Sequence, residues 1–169
     1  MAATVGISES NGATPTVTDS VPRTDWLNAD SVGNSDKRAT NPITKPAPAG
    51  TSRSFEKWHR LHWVSGTATT LDVIRHYISA GTIDTGYSLF TSASTGTPSN
   101  RTFATPVATD STHAVNAMPT VDPAAANISG SLSASGQRSG YVVTQLDLAD
   151  TVVIGQTQLT ITFKYNETA

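Results

Sequence analysis

Cysteine is missing from this sequence, which removes disulfide frameworks, thiolate metal sites and cysteine nucleophiles at once. Charge is scarce too: Asp, Glu, Lys and Arg make up 14% of the 169 residues, against roughly 25% in an average soluble protein. With a formal net charge of −2, a pI of about 6.0 and no Lys/Arg stripe, the chain lacks the electrostatic footprint of a nucleic-acid binder. No apolar run is long enough to span a bilayer, and the opening MAATVGISES has no basic region leading into an apolar one. The protein is therefore expected to be neither membrane-spanning nor secreted through a signal peptide, and assembly in a reducing cytoplasm fits the absence of cysteine.

Catalytic signatures are also missing. There is no G-x-S-x-G elbow, although Gly130-Ser131, Gly136 and Gly140 share one Ser/Gly-rich stretch, and there is no Walker-type or G-x-G-x-x-G phosphate cradle. Carboxylates are scattered, and Asp147 with Asp150 lacks the spacing of a calcium loop. Of four histidines, His59 and His62 lie an odd number apart and face opposite sides of a strand, so they cannot share an ion. His62 and His76 could meet only if their strands formed a hairpin, and two imidazoles are half a site. No metal, cofactor or catalytic residue is assigned. Three N-x-[ST] triplets, at Asn100, Asn127 and Asn166, arise readily in so hydroxyl-rich a chain and carry no weight.

Ser and Thr, about a quarter of the residues, fill the place of the charges. Such a surface is polar but nearly uncharged, and burying hydroxyls against a neighbour costs far less than burying Lys or Glu. Residues 1–50 are rich in Thr, Ser, Pro, Asn and Gly, with few apolar anchors. They read as an extended N-terminal arm and a stiff Pro-containing connector, held either by the domain's own surface or by a neighbouring subunit. Val17, Val21, Trp26, Leu27 and Ile43 are its candidate partner-binding residues.

Residues 51–169 read as one domain. Phe55–Val64 is a strand with large residues on both faces, Leu71–Ser79 a strand with a short helix as rival, and Gly86–Ala93 a third strand. Between 94 and 140 short apolar patches predict short strands and long loops. Tyr141–Leu148 is a strand, and residues 157–165 alternate strictly, with Leu159, Ile161, Phe163 and Tyr165 inward. Frequent turns and no βαβ rhythm indicate an all-β antiparallel sandwich, for which a jelly roll is the suggested form. Trp26, Trp58, Trp63, Tyr77 and Tyr87 could offer stacking faces to a sugar, but most lie in apolar strand sequence and are read as packing residues.

Trp26-Leu27-Asn28-Ala29-Asp30, Asn41-Pro42-Ile43, Ser54-Phe55-Glu56-Lys57-Trp58, Tyr141-Val142-Val143-Thr144-Gln145-Leu146 and Thr160-Ile161-Thr162-Phe163-Lys164-Tyr165 occur in that order. This order resembles a loosely defined group of tailed-bacteriophage virion proteins with β-sandwich or jelly-roll folds. The resemblance implies a non-enzymatic capsid decoration (cement) protein on the virion exterior. It would bind the major capsid protein or other virion proteins, often as a homotrimer. A tail or neck component, and a carbohydrate-binding module on a virion fibre, are the alternative roles. On the arm reading, removing residues 2–25 should spare the fold and weaken attachment to the particle.

Overall fold

A computed structural model describes residues 2–33, 35–108, 113–153 and 158–169. Among these residues the chain is nearly all β: β1 (Thr4–Asn11), β2 (Thr16–Thr18), a six-residue helix α1 (Ser35–Thr40), β3 (Thr51–Arg53), β4 (Lys57–Ser65), β5 (Thr70–Ala80), β6 (Tyr87–Thr91), β7 (Asn116–Ala117), β8 (Val142–Ala149) and β9 (Thr160–Thr168). Seven strands form one sheet in the order β2-β1-β4-β8-β6-β7, with β3 also on β8, while β5 and β9 pair separately. All the strand pairings are antiparallel. The expected all-β sandwich is thus present, with its two layers unequal in size.

The strand at 57–65 and the one at 70–80 do not form a hairpin. After Ser65, Gly66 at φ +117° starts a crossing to the other sheet, and its Cα lies so close to Ala2 and Ala3 that a Cβ there would clash with backbone. β5 is a strand, as its β-branched content predicts, but its alternation breaks at Val73, whose φ is +47°. The pairing with β9 shifts register at that point, so Leu71 and Ile74 both reach the core despite their odd separation.

Between the layers, Leu61, Trp63 and Val142 of the large sheet pack with Leu71 and Ile74 of β5 and with Ile128 and Leu132 of the long loop. At the other end Leu89 meets Ile78 and Met118, with Leu159 and Ile161 against them. Each such large apolar side chain stabilises the fold by about 1.5–3 kcal/mol on burial. A third cluster lies outside the sandwich: Trp58 and Val143 on the outer face of the large sheet are covered by Phe103, Ala104 and Ala114 of the loop. Hence β4 is buried on both faces at Lys57–His59, as its composition predicts, whereas Val64 on the same outer face is exposed. The inward side chains of β9 point at the core yet stay half-buried, because this small sheet ends at β9. The turn expected near Gly155, and Thr157 at the start of that predicted strand, lie outside the described residues.

The leading segment is held by its own domain. β1 pairs with β4 from Thr4 to Ser10, and Val5 and Ile7 pack on the main core. Removing residues 2–25 would uncover the long edge of β4 and the side chains behind it, so that segment is structural and the expectation of a dispensable arm is corrected. The reason is cooperative: a Gly- and Ser-containing strand with only two aliphatic anchors gains its order from a preformed partner.

Candidate functional site

Strand alternation puts Lys57, His59, Leu61 and Trp63 on the inner face of β4, so two ionisable side chains enter an otherwise apolar row. Their partners come from β1. The register sets Glu9 opposite His59 and Ser10 opposite Trp58, where the β1–β4 pairing ends, and the Asn11 and Lys57 side chains meet at Glu9 just past it. Glu9 and Lys57 are fully buried and His59 nearly so. Lys57 Nζ lies 3.2 Å from Glu9 Oε1, and His59 Nε2 lies 3.3 Å from Glu9 Oε2. Asn11 Nδ2 donates to the same Glu9 Oε1 at 3.2 Å and to Asp30 Oδ1 at 2.9 Å, and Lys57 also donates to the Ser31 carbonyl. Burial pushes the Glu9 carboxyl up, but the hydrogen bond and charge of His59, with the charge of Lys57, outweigh it and hold the group below its ordinary value. Losing one member would strand a buried charge, which costs far more than the intact pair contributes.

Beside this cluster a cleft of about 280 Å³ opens between the sheets. Its wall carries Thr24, Trp26, His59, His76, Thr144 and Phe163. Trp26 Nε1 donates to Thr144 Oγ1 at 3.2 Å, and the His76 ring sits 4.6 Å from that of Phe163. His76 is buried, its Nδ1 has no hydrogen-bond partner, and burial, helped by the charge of His59, depresses its pKa to about 3, so it is a neutral imidazole. Thr24 Oγ1 lies 3.0 Å from His59 Nε2, which invites a hydroxyl, imidazole and carboxylate reading. However, Thr24 and Glu9 both engage that one nitrogen. A relay requires the carboxylate on the other nitrogen, so this arrangement does not prepare Thr24 as a nucleophile.

On the outer face Glu56, fully buried, accepts from Trp58 Nε1 at 3.3 Å and lies 3.0 Å from His113 Nδ1. The rings of His113, Phe103 and Tyr141 surround Trp58 at 5.0, 5.2 and 5.7 Å. This cluster fastens the long loop to the sheet.

The five residues singled out in the leading segment do not form one patch. Val21 and Leu27 are buried in their own domain, Trp26 and Ile43 are half-buried, and Val17 on β2 is exposed. Trp58 and Trp63 are in the cores, as the packing reading has it, and so cannot offer a face to a sugar. His62 sits on the outer face near Asp19, away from His76 on the small sheet. Asp147 pairs with Arg53, and Asp150 accepts from the Ala49 amide. Among the described residues, no three His, Asp or Glu side chains gather as a metal site. Glu9 and Asn11 were missed by motif reasoning. The available signal was Lys57 on the apolar face of β4, since a buried cation demands a carboxylate from elsewhere.

Comparison with protein-family models, with curated proteins and with solved structures gives no match for this chain.

Proposed function

We propose that this protein is a non-enzymatic structural component of a tailed-phage virion, a decoration protein that seats on the outer surface of the capsid lattice as a homotrimer. One contrast between interior and surface supports the reading. Inside, Glu9, Glu56, Lys57 and His59 are engaged with one another or with neighbouring polar groups, and the cleft beside them holds no nucleophile with a base aligned to it. Outside, charge is sparse, hydroxyls abound, and Val17, Val64, Val115, Val121 and Val153 are exposed. Such a surface loses little on desolvation, and this favours packing against other proteins. The virion setting comes from the sequence resemblance, and the trimer with it.

Cryo-electron microscopy of purified particles carrying the tagged protein tests this directly. The expected result is tag density on the capsid exterior at sites of threefold symmetry. Density confined to the tail or neck would move the protein there. Its absence from particles, or a tryptophan-fluorescence response to host polysaccharide, would overturn the structural reading in favour of a glycan-binding one.

A further inference from the structure

Lys57 and Asn11 lie on adjacent strands, and both donate to Oε1 of Glu9 at 3.2 Å. A buried amine, a carboxamide and a carboxylate between them are the components of an amide-forming reaction. The two hydrogens of Asn11 Nδ2 are directed to Glu9 and Asp30, while its Oδ1 is buried without a partner. The carboxamide is thus held by its nitrogen, with its carbonyl left free of stabilising donors. The amine and the base are shut away from water, since Lys57 and Glu9 have no exposed surface, while Asn11 is half-buried at the end of β1.

We propose that Lys57 and Asn11 join in an autocatalytic isopeptide bond, with Glu9 as the proton carrier. Nζ of Lys57 gives a proton to the Glu9 carboxylate and, as a free amine, attacks Cγ of Asn11. Glu9 then returns that proton to Nδ2, the Cγ–Nδ2 bond breaks as the carbonyl re-forms, and ammonia departs with the remaining surplus proton of Nζ as ammonium. One N–C bond forms, one breaks, and nothing is oxidised or reduced. Fixing both reactants beside the base replaces an encounter in solution, the effect that lets unactivated amides react within folded sites. The product staples β1 to β4, so the first strand cannot peel from the sheet, a property of use to any protein under mechanical load. The inference stands whether or not the protein belongs to a virion.

A rival reaction must be told apart from it. Asn11 precedes Gly12, and attack by the Gly12 amide nitrogen on Asn11 would also release ammonia, giving a succinimide. Here that nitrogen donates to Asp30 Oδ2 at 2.7 Å, which holds it in place. Intact-mass measurement of the folded full chain should show the loss of one ammonia from the mass of its sequence, a loss absent from the Lys57→Arg variant measured against its own. Trypsin should fail to cut after Lys57, and residues 54–60 should be recovered joined to the peptide that ends at Arg23. Glu9→Gln, checked for native circular dichroism, should retain the full mass. A wild-type mass equal to that of the sequence, a loss confined to the linear Asn11 peptide, or undiminished cross-linking in Glu9→Gln would each overturn the proposal.

Discussion

Replacing His76 with Leu should flatten the acid limb of the stability curve. The ring is 1% exposed and lies tilted against Phe163, and its backbone is clamped by Asn127, which accepts from the His76 amide at 2.7 Å and donates to its carbonyl at 2.8 Å. Desolvation, with the charge of His59 second, depresses the pKa from 6.5 to about 3. In that window the unfolded chain binds a proton that the native chain refuses, so stability is full above pH 6.5 and declines as pH falls towards 3. At pH 5 the unfolded state gains about 1.5 pH units of protonation free energy, or about 2 kcal/mol. His76→Leu removes this contribution and also an unpartnered buried nitrogen, so it should cost little at pH 7. Urea titrations at pH 7 and pH 5 would give the difference by linear extrapolation. The wild type should lose about 2 kcal/mol more than the variant between the two pH values. An equal loss in both proteins would refute the assignment of His76 as a buried neutral group.

Val73 holds a positive φ that β-branched residues strongly disfavour, whereas Asn accepts it. Val73→Asn should stabilise by about 1 kcal/mol and raise Tm by a few degrees in calorimetry, and a lowered Tm would count against the bulge. Trp58→Ala removes a fully buried ring from beneath the long loop. It should cost about 3–5 kcal/mol and speed tryptic cleavage at Arg101, with unchanged cleavage showing that the loop is held by other contacts.

Residue types alone determined the class of this fold. β-branched and aromatic clusters marked β4, β5 and β8, and the strict alternation from Leu159 to Tyr165 revealed the inward face of β9, because a strand's period of two is written locally. Between 94 and 140 the apolar patches predicted short strands and long loops, and among the described residues there only β7 and isolated bridges such as those of Ile128 and Leu132 form. The role of residues 4–11 was hidden, since TVGISESN contains only two aliphatic side chains and becomes a strand by pairing with β4. The helix at 35–40 was unforeseen as well, six residues being too short for any periodic signal. Above all, the meeting of Glu9 and Asn11 with Lys57 is a product of register between segments nearly fifty positions apart. Charge complementarity across strands has no local trace in a sequence. It exists only once the sheet has set which side chains stand level and the sandwich has shut water away from them.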